Sequence, residues 1–153
     1  MQKGRGIYKP WVVLLVAVFA IAYLWIMGDL LFIHGRVTGE RYQYNLVPLD
    51  TIGPLLLERE RYSTEAWVKN LFGNIVLFIP LGIWIPWLFR SCRTGLKFTW
   101  TVILLLLAVE LAQLLLRVGS FDVDDIILNT LGAWIGYIAF RLFIQFIMRR
   151  RSE

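Results

Sequence analysis

Residues 120–136 read SFDVDDIILNTLGAWIG, and this stretch decides the class of fold. Asp122, Asp124 and Asp125 stand at the mouth of an apolar run, and Asn129 lies one helical turn inside it. Asp125, Asn129, Gly132 and Gly136 recur at helical spacing, so they share one face. Gly132 and Gly136 make a small-xxx-small pair, which lets another membrane helix approach closely. The polar end of this face needs partners, and the rest of the chain has to supply them.

The 153 residues leave room for one domain, expected to cover 1–153. The hydrophobic fraction is 58%, and the mean hydropathy is +0.64. Soluble domains contain roughly 45–50% apolar residues. The excess is gathered into four runs, 11–33, 71–89, 98–116 and 126–148. Each is about as long as a helix must be to cross a ~30 Å hydrocarbon core. A soluble bundle would show charged faces along these runs, and they hardly do. The expected fold is an all-α membrane protein, a bundle of four transmembrane helices with an ordered external loop between the first two.

The first run follows Lys3, Arg5 and Lys9, as a signal peptide would. It is too long for one, and its end, DLLFIH at 29–34, lacks a small-residue cleavage site. A retained helix is expected. Cys92 is the only cysteine, which excludes an intrachain disulfide.

Net charge is +5, but its distribution says more than its sum. Lys3, Arg5 and Lys9 precede the first run. Arg90, Arg93 and Lys97 join the second and third, and Arg149, Arg150 and Arg151 follow the fourth. With four alternating helices, all three clusters fall on one side. The short opposite connection has only Arg117 against Asp122, Asp124 and Asp125. The positive-inside rule then places both termini in the cytoplasm of a multi-pass cell-membrane protein. Basic clusters in juxtamembrane positions serve topology and anionic-lipid contact, so the lipid bilayer is the expected partner and nucleic acid is not.

The connection 35–69 is longer than packed helices usually need. Its five basic residues balance its five acidic ones. NLVP at 45–48 reads as an extended or turn element, because Pro48 biases its predecessor away from helix. LLL at 55–57 followed by ERER at 58–61 reads as a short segment on the membrane surface. STEAW at 63–67 starts a further helical turn leading into the second run.

Polar residues within the runs are few. The second carries Asn70 and Asn74 at its outer end, then Pro80, Gly82 and Pro86. Prolines inside a membrane helix bend it and free backbone carbonyls. The third carries Glu110 and Gln113, three apart and on one face. A glutamate at the depth of Glu110 would cost roughly 2.5 kcal/mol or more facing lipid, so it is expected to point inward. Gln113, Asn74 and Asn129 are its expected donors. Arg141 in the fourth run lies within snorkelling reach of the cytoplasmic end. Asp29, Asn74, Glu110, Gln113 and Asn129 all fall roughly one to two turns below the outer surface. They therefore imply an inward-facing polar cluster, open to the outside and roofed by 45–48. The inner half has no such cluster, which argues against a channel or proton relay spanning the membrane.

These residues resemble a known family. NLVP at 45–48, NLFGN at 70–74, LFIPLG at 77–82, ELAQ at 110–113, FDVDD at 121–125 and NTLG at 129–132 are together similar to the VanZ-like domain. The motifs occur in order over about 45–137. One departure is visible: the family often has an arginine directly before the Phe-Asp element, where this chain has Gly119, with Arg117 two residues earlier. The resemblance implies a small bacterial integral membrane protein of four helices. It also implies a link to lowered sensitivity to teicoplanin, a lipid-tailed glycopeptide acting outside the membrane. The family has no agreed enzymatic activity.

Three functions compete. The first is non-enzymatic binding of a lipid or lipoglycopeptide, with the polar head at Asn45, Pro48, Asn70, Asn74, Glu110, Gln113, Asp122, Asp124, Asp125 and Asn129. The second is a membrane enzyme acting on an envelope lipid. Glu110 and Asp125 would serve as general acid and base, or Asp122, Asp124 and Asp125 would hold a divalent cation. The third makes the polar cluster the glue of the bundle, with the aspartates capping the last helix. The enzyme reading is disfavoured: the chain has no HExxH, no nucleophile elbow and no Cys/His dyad, and His34 is its only histidine. No cofactor is expected.

Overall fold

The computed structural model describes residues 10–34 and 39–150. Lys3, Arg5, Lys9, Arg36 and Arg151, which entered the charge argument, lie outside the described residues. The chain divides into two compact units, Met1–Val37 and Thr38–Glu153.

The first unit contains α1 (Pro10–Phe32), with Pro10 at the first helical position, where its missing N–H is harmless. At its end the Asp29 carbonyl accepts the backbone N–H groups of Ile33 and His34. The Asp29 carboxylate lies 3.9 Å from His34 Nδ1.

The second unit contains β1 (Tyr44–Asn45), α2 (Ile52–Leu57), α3 (Thr64–Val68), α4 (Asn74–Leu88), α5 (Gly95–Leu116), β2 (Phe121–Asp122) and α6 (Val123–Arg150). Ser63 caps α3 by accepting the Ala66 N–H, which starts the helical run seven residues before the expected 71. A π-helical turn, Lys69–Gly73, carries α3 into α4, so Thr64–Leu88 forms one span. Four helices are thus long and apolar enough to cross a membrane: Pro10–Phe32, Thr64–Leu88, Gly95–Leu116 and Val123–Arg150. The chain is an all-α, multi-pass membrane protein.

The Gly132/Gly136 stripe meets α4. A Cβ on Gly132 would stand 2.0 Å from the Ile75 carbonyl oxygen, and one on Gly136 equally close to that of Ile79. Gly82 answers from α4, where a Cβ would stand 1.9 Å from the Ala133 carbonyl oxygen. Contacts advance together along both helices, so α4 and α6 run parallel with their backbones touching. Gly82 was read from sequence as part of a bend; in the structure it is half of this seam.

Farther along, α5 packs on α6 through aromatics. Phe98 stacks on Tyr137 at 4.4 Å and meets Trp134 edge-on at 5.6 Å. The Tyr137 hydroxyl donates to the Arg93 carbonyl at 2.6 Å, and Arg141 Nη1 donates to the same oxygen at 3.0 Å. Arg141 thus stitches α6 to the turn between α4 and α5. Cys92 is buried in that turn. Arg90, Arg93 and Lys97 collect at this end of the bundle with Arg149 and Arg150, and the carboxylates of α6 lie at the other.

Candidate functional site

The site is built where β1 meets β2. The expected turn at 45–48 is preceded by a two-residue parallel pairing, Tyr44 with Phe121 and Asn45 with Asp122. Extended backbone was one of the two readings of 45–48, but its pairing with 121–122 was not expected, because two residues leave no alternation to read. The pairing brings Asn45 onto Asp122, its Nδ2 donating to Asp122 Oδ1 at 3.3 Å and to Thr51 Oγ1 at 3.1 Å. Thr51 Oγ1 donates to Asp122 Oδ2 at 2.7 Å. Asp122 also caps α6, since its Oδ1 accepts the Asp124 N–H at 2.8 Å. That cap moves the helix start to Val123, three residues before the expected position.

Asp124 does something the sequence reading missed. It was weighed as a head-group ligand, a cation ligand or a cap of its own helix; in the structure it faces the roof segment and is fully buried. Its Oδ1 accepts the Leu49 N–H at 2.6 Å. Its Oδ2 accepts those of Thr51 at 2.8 Å and Ile52 at 3.0 Å. Leu49 adopts φ 68°, a left-handed conformation that few non-glycine residues take. The carboxylate holds the turn there by gathering N–H groups that would otherwise diverge. Thr51 was overlooked because a Thr before an apolar run reads as a helix cap. It does precede α2, but its hydroxyl is used on Asp122.

Glu110 is buried on α5, and its Oε2 accepts the Asp122 backbone N–H at 3.1 Å. Asn74, an expected donor to Glu110, instead donates to Asp125 Oδ1 at 2.5 Å, tying α4 to α6. Gln113 is buried on the same helix as Glu110. Pro48 and Asn70 are exposed. Asp29 belongs to the first unit. Arg117 ends α5 with φ 55° and lies over the Tyr42 ring at 4.7 Å, so its guanidinium is engaged there.

Asp122, Asp124 and Asp125 do not converge as cation ligands. Their oxygens accept N–H and O–H donors from different elements. Among the described residues no three His, Cys, Asp or Glu side chains come together as a metal-binding group. One turn below Asp125, Asn129 is 3% exposed. Its Oδ1 has no hydrogen-bond partner, and neither does the neighbouring Thr130 Oγ1. A buried polar atom left unpaired costs about 1–3 kcal/mol. The latch above it, in which Asn45, Thr51, Asp122 and Asp124 tie 45–52 to the start of α6, is satisfied throughout, whereas this level of α6 is not.

A family model described as VanZ/LLP1 matches residues 11–144 of the chain. Protein VanZ of Enterococcus faecium is 25% identical over 122 residues, covering 80% of this chain and 68% of that protein. No solved structure matches.

Proposed function

The chain belongs to the VanZ/LLP1 family, and from that premise we propose that it is a non-enzymatic binding protein of the cell envelope. The latch end faces outward, and the end bearing Arg90, Arg93, Lys97, Arg149 and Arg150 faces the cytoplasm, as the positive-inside rule requires. The ligand combines an apolar tail, lying between helices, with a polar head that offers a hydrogen-bond donor. A lipoglycopeptide of the teicoplanin type or a cell-wall lipid has this chemistry.

The observation that carries this reading is the buried, unpartnered Oδ1 of Asn129. Polar groups that only hold a bundle together are paired, as Asp122, Asp124, Asn45 and Thr51 are. An acceptor left open inside a membrane helix is supplied for an incoming donor. One turn above it on α6, Asp125 accepts from Asn74, and Glu110 and Gln113 are the buried polar residues of α5 assigned to the same site. The ordered latch divides the roles: Asp122 and Asp124 shape the site, and Asn129 meets the ligand. The cation-assisted form of the enzyme reading loses ground, since Asp124 is committed to three backbone N–H groups and Asp122 to the Asn45 and Thr51 side chains and one backbone N–H.

The test is teicoplanin susceptibility of a sensitive host expressing the wild type, with vancomycin, which lacks the lipid tail, as control. Wild-type protein is expected to lower teicoplanin sensitivity alone. Asn129→Ala is expected to abolish that shift at unchanged membrane level. Full protection by a well-expressed Asn129→Ala variant would overturn the assignment of Asn129.

A further inference from the structure

We propose that residues 46–57 are a lipid-embedded insert, with Leu46, Val47, Leu49, Leu56 and Leu57 standing among the acyl chains of the leaflet at the latch end. The occupant of this apolar surface is bilayer lipid, and the Asp124 carboxylate is what makes the backbone there compatible with it.

Depth comes first. Ile52 of α2 packs in one buried cluster with Leu71 and Leu128, with Trp67 and Ile75 against it. Leu128 is five residues inside α6, about 7 Å at 1.5 Å per residue. Leu71 lies seven residues inside the span that starts at Thr64, about 10 Å along it. Trp67 Nε1 donates to the Leu55 carbonyl at 2.7 Å, pinning the other end of α2 to the first turns of that span. α2 therefore lies beside the outer turns of the membrane helices rather than above them.

Surface chemistry follows. Leu57 is 87% exposed, and Leu46, Val47, Leu49 and Leu56 lie between 57% and 61%. α2, IGPLLL, has no charged residue, and the one charged side chain of 46–57, the exposed Asp50 just before it, sets the headgroup level of the segment. The neighbouring span also exposes Val68, Phe72 and Val76, four residues apart on one face. The charged side chains that follow α2 are drawn together: Arg61 pairs with Glu58 at 2.7 Å, and Arg59 lies over the Trp67 ring and donates to Thr64.

The backbone N–H groups of the turn are compatible with lipid. Irregular backbone is tolerated at membrane depth only when its polar groups are satisfied by protein. Every N–H from 47 to 53 has a partner. Val47 donates to Asn45 Oδ1, and Leu49, Thr51 and Ile52 donate to Asp124. Asp50 donates to the Val47 carbonyl and Gly53 to that of Leu49; Pro48 has no N–H to satisfy.

Single cysteines at Val47, Leu57 and Ser63, in a Cys92→Ser background, would carry an environment-sensitive fluorophore. The full chain would be reconstituted in phosphatidylcholine vesicles. Two quenchers are compared: acrylamide from water, and phosphatidylcholine spin-labelled near the headgroup end of its acyl chain. Labels at Val47→Cys and Leu57→Cys are expected to be quenched about two-fold or more in favour of the lipid probe, with the order reversed at Ser63→Cys. Preferential quenching by acrylamide at Leu57 would overturn the proposal in favour of a water-facing surface. Protection from both quenchers, with energy transfer between copies, would overturn it in favour of a protein interface.

Discussion

At the scale of single residues, Asp124 and Asn129 sit five positions apart on α6 and do opposite things. Asp124 is fully buried and accepts three backbone donors, so its loss leaves all three unpaired at once. At about 1–3 kcal/mol per orphaned donor, Asp124→Ala is expected to destabilise the second unit by more than about 3 kcal/mol. A thermal scan in detergent reads the loss, and limited proteolysis is expected to cut first within 46–57. Asp124→Asn keeps one acceptor oxygen and is expected to lie between the wild type and Asp124→Ala. Asn129→Ala removes an acceptor that has no partner, so it is expected to change the melting temperature little. A large loss of stability in Asn129→Ala would show that the side chain is structural. The aspartates were legible in the sequence as a polar helix mouth, and Asp122 does cap α6. What Asp124 does was not legible, because its partners are backbone N–H groups more than seventy residues away and backbone leaves no signature in composition. Glu110 was correctly expected to be buried, but the Asp122 N–H that it accepts was hidden for the same reason.

At the scale of elements, the α4–α6 seam is the tightest contact in the second unit. Gly132 and Gly136 announced one half of it through their spacing. Gly82 did not announce the other, since a glycine between Pro80 and Pro86 reads first as part of a kink. The parallel direction of the two helices follows from topology: two membrane helices separated by a third run the same way. Inserting a methylene into a packed interface costs about 1–3 kcal/mol, and here the first added carbon already meets a backbone oxygen that cannot swing aside. Gly132→Leu and Gly136→Leu are each expected to exceed that range and to lower the melting temperature or the inserted yield. Gly53→Ala in α2 is the control, because a Cβ there meets no described atom within 4 Å. Wild-type melting in both leucine variants would mean that the two backbones are not in contact. The β1–β2 pairing lay beyond sequence reading, since it is two residues long and is specified by the side-chain bonds around Asn45 and Asp122.

For the whole molecule, the decisive quantity is the separation of charge along the bundle axis. Hydropathy made the four spans legible because each must supply an apolar length near that of the hydrocarbon core. The fold gathers Arg90, Arg93, Lys97, Arg141, Arg149 and Arg150 at one end with no acidic residue among the described ones there, whereas the other end carries Glu110, Asp122, Asp124 and Asp125 together with the mixed charges of 39–69. Arg117 sits at the acidic end but is held over Tyr42, away from the carboxylates. Positive residues in short loops are retained in the cytoplasm, so this sorting is the ground for the proposal that the latch faces outward. Ser63 lies beside the latch end and Ser91 in the turn at the basic end, and both are exposed. In a Cys92→Ser background, Ser63→Cys is expected to react with a membrane-impermeant maleimide in intact cells. Ser91→Cys is expected to react only after the membrane is permeabilised. The reverse pattern would turn the molecule over, placing Asn129 nearer the cytoplasm and out of reach of a ligand arriving from outside. It would defeat the proposed binding role while leaving the seam and the latch as they are.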